Sequence, residues 1–177
     1  AKDVKIQVEF NPATVAEYRL IGYENRALAR EDFSNDRVDA GEIGAGHSVT
    51  AIYEIALTGS AGQRLADSRY QTKQRAPGNT QELALVRVRY KQPDGESSRL
   101  IEQPVRRTEL AGKLDATSGS YRFAAAVAGF GQILRGGRYT GDFGYDGVLD
   151  LARGARGDDP FGYRGEFLQL AGLASSL

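Results

Sequence analysis

The sequence predicts an α+β fold: an antiparallel β-sandwich in residues 1–110, followed by a three-helix segment in residues 111–177 that packs on the sandwich. Two patterns support this prediction. Apolar and polar residues alternate through much of the first 110 residues, as in half-buried strands. After about residue 111 the apolar spacing becomes helical, and strands followed by helices indicate segregated elements. At 177 residues the chain is also long enough to fold without a disulfide or a metal.

Five strands are expected in the first part of the chain. Val4 to Phe10 alternates most regularly and ends at Asn11-Pro12, because proline lacks the N–H group of a strand ladder. The other strands are predicted at residues 18–23, 49–57, 82–92 and 97–105. Between the last two lies Pro93-Asp94-Gly95-Glu96, which is typical of a hairpin turn.

Three helices are expected in the second part. The first precedes Gly136-Gly137 and has an apolar stripe with helical spacing, at Phe123, Val127, Phe130 and Leu134. The second covers residues 145–152. The third is predicted to begin at Asp158-Asp159-Pro160, with Asp as N-cap and Pro at the first helical position.

Glycines occur inside the first and third predicted helices. A glycine there lowers helix stability by ~1 kcal/mol relative to alanine, so we expect each one to have a structural role. Close approach of a neighbouring element would be such a reason, because any side chain would clash. The glycines concerned are Gly129, Gly131, Gly162, Gly165 and Gly172.

Composition removes several classes of function. Lys plus Arg and Asp plus Glu number 23 each, so the net charge is zero and the electrostatic footprint of a nucleic-acid binder is absent. One His and no Cys cannot supply the ligands of a zinc site. The sequence contains no run of 18 apolar residues, so it predicts no transmembrane helix. Because the chain starts inside its first strand, we interpret it as a piece of a longer protein.

Two loops could carry chemistry. Residues 41–48 match the phosphate-binding pattern G-x-x-x-x-G-K-[ST] except that His47 replaces the lysine, and a strand rather than a helix is expected to follow. A hydrolase would need His47 in a cleft within reach of a serine and a carboxylate. The acidic run from Glu31 to Asp36 lacks the glycine and the final glutamate of a calcium loop, which leaves at most a weak cation site. No catalytic, metal or cofactor residues are therefore assigned.

The strand at residues 82–92 is predicted to place Arg87, Arg89 and Lys91 on one face and Val86, Val88 and Tyr90 on the other. Two interpretations of the basic face remain open. Its cations pair with carboxylates of the same sheet, or they dock an acidic partner.

Several long strings resemble one family, the C-terminal region of bacterial von Willebrand factor type A domain proteins of the YfbK type. The resemblance covers essentially the whole chain. Its residues are VKIQVEFNP (4–12), YRLIGYENR (18–26), DAGEIGAGH (39–47), FAAAVAGF (123–130) and DPFGYR (159–164).

The resemblance implies a domain of unknown function that follows an adhesion-type A domain in a cell-envelope protein. It implies a periplasmic or membrane-attached location, often as part of a lipoprotein. We therefore expect a non-enzymatic module without a cofactor, whose partner is the A domain of the same protein or another envelope protein. The alternative is a glycan- or peptidoglycan-binding module that uses exposed aromatic residues, such as Tyr70, Tyr139 and Tyr163.

The strand from Val4 to Phe10 allows one further hypothesis. If the parent protein completes the sheet with a strand next to this one, the isolated chain must leave an unpaired edge or an apolar groove. It should then dimerise, aggregate or cover the edge with a loop of its own. The loop from Glu24 to Gly46 is the segment best able to cover it. Otherwise the strand is central and paired on both sides.

Overall fold

A computed structural model describes residues 1–22, 30–35, 40–65 and 80–177. The chain divides into two compact units, Ala1–Leu110 and Ala111–Leu177. Antiparallel strands form the first unit and helices the second, which confirms the α+β fold class.

The sheet unit contains five strands: β1 (Lys2–Phe10), β2 (Val15–Ile21), β3 (Ile52–Leu57), β4 (Glu82–Lys91) and β5 (Ser98–Arg106). They form two antiparallel sheets, β1-β4-β5 and β2-β3. Two short 3-10 helices, Arg30–Ser34 and Arg107–Glu109, also belong to this unit. All five predicted strands are confirmed. Strand β2 begins three residues earlier than predicted, and β3 begins three residues later.

The two sheets contact each other where β1 ends. The ring of Phe10 stacks on Tyr18 with 4.3 Å between centroids and meets Tyr53 edge-on at 5.2 Å. Beside them, the Thr14 hydroxyl donates to the carbonyl of Glu82 at 2.7 Å. These contacts support a sandwich arrangement at this end of the three-stranded sheet.

Strand β1 lies at an edge of its sheet in the part of the chain that the structure describes. It pairs with β4 on one side, and on the other side the Val4 amide donates to the Gly41 carbonyl at 2.7 Å. The backbones of Ala1 and Ile43 exchange two further hydrogen bonds, at 2.9 and 3.0 Å. The prediction that the loop up to Gly46 covers this edge is confirmed for residues 41–43, whereas the central position for β1 is wrong.

The helical unit contains a 3-10 helix (Leu114–Ala116) and the helices α1 (Gly119–Leu134), α2 (Tyr145–Gly154) and α3 (Tyr163–Ala174). Three helices were predicted and three are observed. Their core is buried and built largely from small residues, namely Ala126, Val148, Leu149, Ala152 and Ala171. Small side chains let the helix backbones approach closely.

The predicted start of α3 is wrong by several residues. Asp159 to Gly162 form a turn, closed by a hydrogen bond from the Gly162 amide to the Asp159 carbonyl, and Gly162 is the N-cap with a φ of +75°. Asp159 nevertheless caps the helix, because its carboxylate accepts from the amides of Arg164 (3.0 Å) and Gly165 (2.8 Å). The sequence therefore identified the capping residue but placed it too close to the helix.

Gly129 confirms the prediction of close packing around helical glycines. A Cβ atom there would lie 2.5 Å from the ring of Phe143, and one at Gly147 of α2 would lie 2.9 Å from the same ring. The ring therefore sits between two helix backbones. At Gly165 a Cβ would be 3.3 Å from the Arg156 guanidinium.

The other three glycines do not follow this explanation. Gly162 lies outside the helix in a left-handed conformation, which glycine adopts most easily. At Gly131 and Gly172 a Cβ atom would meet no neighbouring group within 4 Å, and nothing in the structure explains these two glycines.

Candidate docking surface

The pairing register divides the three-stranded sheet into two chemically different faces. Ile6, Val88 and Ile101 are direct partners across β1, β4 and β5 and therefore lie on one face. We call this the open sheet face and define it by Ile6, Val8, Val86, Val88 and Ile101. Ile6 is 50% exposed and Ile101 is 51% exposed, so a large part of this apolar face is in contact with solvent.

A groove continues the open sheet face at the end away from Phe10. It has a volume of about 770 Å³ and is lined in part by apolar side chains, namely Val4, Ile43, Val88, Tyr90 and Pro93. Val88 belongs to both the groove and the open sheet face, so the apolar surface is continuous. The segment 42–45 forms one wall, and it is held in place by the backbone bonds between Ala1 and Ile43.

The opposite face of the sheet is ion-paired. The Arg87 guanidinium binds Glu102 at 2.9 Å and Glu9 at 2.8 Å, which ties β4 to both of its neighbouring strands. The hydrogen bond to Glu102 is the largest influence on the pKa of Arg87 and raises it. Desolvation opposes this rise, but the hydrogen bond to and the charge of Glu9 add to it, so the pKa lies above its usual value. Lys91 likewise pairs with Asp3 at 2.8 Å. Pairing within the sheet is therefore confirmed for these two cations.

A buried charge cluster lies at the start of β1 and was not predicted from the sequence. The side chain of Lys5 is almost fully buried, and its ammonium group donates to the carbonyl of Asn35 and lies 3.8 Å from Asp3. Asp3 has a φ of +55°, at a break in register between Lys2 and Lys5. The regular alternation of β1 concealed this bulge, because period two assigns Lys5 to a solvent face.

A second charge cluster joins the strands of the two-stranded sheet. Arg19 of β2 forms an ion pair with Glu54 of β3, and Arg64 binds the other oxygen of the same carboxylate at 2.8 Å. Partial burial raises the pKa of Glu54, but the hydrogen bonds and charges of Arg19 and Arg64 outweigh it and hold the pKa below its usual range. The charges of this cluster come from both strands and from Arg64 in the segment that follows β3.

The two candidate chemical loops show no built site in the described residues. His47 is exposed, and its Nδ1 lies 3.2 Å from the carbonyl of Ala45 in the same loop. The loop leads into β3 and not into a helix, as predicted. Asp32 lies in a 3-10 helix, while residues 36–39 lie outside the described ranges. In the described part of the chain, no three His, Asp or Glu residues come together as metal ligands.

The helical unit exposes an aromatic pair at the start of α3. Phe161 and Tyr163 are 79% and 72% exposed, with 6.0 Å between ring centroids and 30° between ring planes. Leu170 and Leu173 continue the exposed apolar surface along α3. Tyr139 is half-buried and has the Arg138 guanidinium over its ring, whereas Tyr70 lies outside the described residues.

No helix within the described ranges is long and apolar enough to cross a membrane.

Comparisons with known proteins place these observations in a family. The family model described as "Uncharacterized protein YfbK, C-terminal" matches residues 1–177. The uncharacterized protein YfbK of Escherichia coli (strain K12) is 45% identical over 179 residues, which is the whole of this chain but 30% of that protein. No solved structure matches the chain.

Proposed function

The chain belongs to the family of YfbK C-terminal regions, and from that premise we propose that it is a non-enzymatic interaction module of a cell-envelope protein. It packs against a von Willebrand factor A domain of the same protein and supports the binding of other proteins there. Its location is periplasmic or membrane-attached, as part of a lipoprotein. The resemblance of the sequence supports this proposal, as does the length of the E. coli relative, of which the chain spans about a third.

The open sheet face is the observation that carries the proposal. Contiguous exposed apolar patches are uncommon on proteins that act alone, and they commonly mark interaction sites. On this face Ile6 and Ile101 flank Val88 on adjacent strands, so their side chains form one patch. The other face of the same sheet carries the ion pairs of Arg87, although Leu100 is also exposed there.

Mixing the 177-residue chain with the separately prepared A domain tests the proposal. We expect saturable binding in calorimetry and a higher unfolding temperature of the chain, because a partner that binds the folded state stabilises it. An A domain from an unrelated protein is the control. Absence of both binding and stabilisation at high concentration would contradict the proposal.

A second function, binding of glycan or peptidoglycan, is favoured by Phe161 and Tyr163. Exposed aromatic rings can stack on sugar faces, and these two rings lie side by side. Sedimentation with purified peptidoglycan tests it: Tyr163→Ala would reduce binding, while Tyr121→Ala, at an exposed site of α1, would not. Equal binding of both variants and the wild type would show that this aromatic pair does not bind peptidoglycan.

A further inference from the structure

We propose that the segment joining the sheet unit to the helical unit is a cleavage site for a protease that cuts after lysine. The scissile bond is the peptide bond between Lys113 and Leu114. Its hydrolysis consumes one water molecule and leaves a carboxylate on Lys113 and an amino group on Leu114. The cut divides the chain into residues 1–113 and 114–177, and each part keeps its own fold.

The linker, which we define as residues 110–113, runs between two short 3-10 helices and is exposed along its whole length. In the part of the chain that the structure describes, the amides of Ala111, Gly112 and Lys113 donate no hydrogen bond. A Cβ atom at Gly112 would have no neighbouring group within 4 Å. Exposed backbone without hydrogen bonds or packing opens at little cost in free energy, and such segments are the preferred sites of proteolysis.

Lys113 has the backbone conformation that a protease requires. Proteases bind the residues around the scissile bond as an extended strand, because the active site supplies backbone hydrogen bonds to them. Lys113 is already extended, with a φ of −144° and a ψ of +150°. Arg107 is also exposed, but it lies in a 3-10 helix, where its carbonyl accepts from the Leu110 amide at 3.2 Å. Cleavage after Arg107 would first require that turn to unfold.

The chain is anchored on both sides of the linker, which confines the opening to it. On the sheet side, the Arg107 amide donates to the carbonyl of Gln81 at 2.8 Å. On the helical side, the Arg122 guanidinium of α1 donates to the carbonyl of Asp115 at 3.1 Å and to that of Thr117. These bonds do not involve the peptide bond that is cut, so they hold the two new chain ends after hydrolysis.

The buried residues of each unit lie on one side of the cut. The five strands and the buried Val15, Leu83 and Ala84 precede Lys113. The buried core of the helical unit, from Ala126 to Ala171, follows it. Hydrolysis therefore removes no residue from either core, and we expect both units to stay folded.

Digestion of the 177-residue chain with an endoproteinase that cuts only after lysine tests the proposal. Its lysines are Lys2, Lys5, Lys73, Lys91 and Lys113. Lys73 lies outside the described residues, so every sample carries Lys73→Arg, which leaves Lys113 to compete with lysines of the paired strands β1 and β4. We expect the first cut after Lys113, identified by the masses of the two fragments. The helical circular dichroism should be retained after the cut.

A double variant, Arg107→Lys with Lys113→Arg, is the matched control, because it moves the lysine from the linker into the 3-10 helix without changing the charge. We expect it to be cut after residue 107 at least tenfold more slowly than the reference chain is cut after Lys113, since the open form of a helical turn is less populated. Equal rates would overturn the proposal, because exposure alone would then select the site.

Three further results would overturn the proposal. The first is an initial cut within β1 or β4. The second is resistance of the native chain under conditions that cut the urea-denatured chain. The third is loss of the helical circular dichroism after cleavage at Lys113, which would show that the helical unit depends on an intact linker.

Discussion

The helical unit and the sheet unit bury different chemistry. In the helical unit Ala126, Val148, Ala152 and Ala171 have no exposed surface, and the core is apolar throughout. In the sheet unit Leu83 is buried, but so is the charged Lys5, while Ile6 and Ile101 remain half exposed. The difference shows that apolar character alone does not decide burial here. The helical unit buries only apolar side chains, although it also leaves Phe161 and Tyr163 exposed, whereas the sheet unit buries a charge.

The largest expected loss of stability follows from a substitution in the buried charge cluster. This substitution tests whether the stability of the sheet unit depends on the cluster. Asp3→Asn keeps the shape and tolerates the positive φ, but it removes the carboxylate that faces buried Lys5 and pairs with Lys91. Removing one partner of a buried ion pair costs about 3–5 kcal/mol. We expect a loss of this size in the free energy of unfolding, measured with urea.

The exposed ion pair of the same strand is the control for that substitution. Lys2 pairs with Glu96 at 3.3 Å, and the carboxylate of Glu96 is largely exposed. Glu96→Gln should cost only about 0–1 kcal/mol. Equal, small losses in the free energy of unfolding for Asp3→Asn and Glu96→Gln would mean that the buried cluster contributes no more to stability than the exposed ion pair.

The next effect separates two glycines of α1 and tests the close packing of the helical unit. Gly129→Ala places a methyl group against the ring of Phe143 and should cost about 1–3 kcal/mol, as overpacking does. Gly131→Ala meets no neighbour and should stabilise the helix by up to about 1 kcal/mol. Urea unfolding of both variants gives the comparison. Shifts of the same sign would contradict the packing argument.

A smaller effect depends on pH and concerns the cap of α3. Burial raises the pKa of Asp159, but the amides of Arg164 and Gly165 and the charge of Arg156 outweigh it, so the pKa lies below its usual value. A lowered pKa in the folded state means that the stabilisation is present above the unfolded pKa of about 4 and is lost as pH falls through the folded pKa.

Substitution of that carboxylate should change the pH profile of the melting temperature. Asp159→Asn should lower the melting temperature at pH 7 and flatten its fall between pH 6 and pH 3. The neighbouring Asp158→Asn serves as control and should keep the wild-type profile. Parallel profiles of Asp159→Asn and the wild type would exclude the carboxylate as a titrating cap.

The smallest effect is expected at the open sheet face of the 177-residue chain. Ile101→Lys replaces a side chain that is already half exposed, so the free energy of unfolding should change by no more than about 0.5 kcal/mol. Thermal unfolding measures it. A loss above about 2 kcal/mol would show that the chain itself buries Ile101, and the contrast between the two units would no longer hold.

Local patterns predicted much of the fold but little of the candidate site. Alternation revealed β1, and a cluster of Asp and Pro revealed the cap of α3, because these signals act over a few residues. The bulge at Asp3 and the turn before Gly162 depend on backbone conformations that a residue pattern does not specify. The open sheet face escaped prediction for another reason. Alternation says that Ile6 faces an apolar side, but whether another layer covers that side depends on distant parts of the protein.

The ring of Phe143 determines which residues are tolerated at positions 129 and 147, so the residues at these three positions depend on one another. Because Gly129 and Gly147 both abut the ring, a side chain at either position costs stability while Phe143 is present. A smaller residue at position 143 would release both constraints at once. Alanine at 129 should therefore be harmful beside phenylalanine and tolerated in the double variant Gly129→Ala with Phe143→Leu. In evolutionary terms the three sites are epistatic, and the order in which they change decides which intermediates fold.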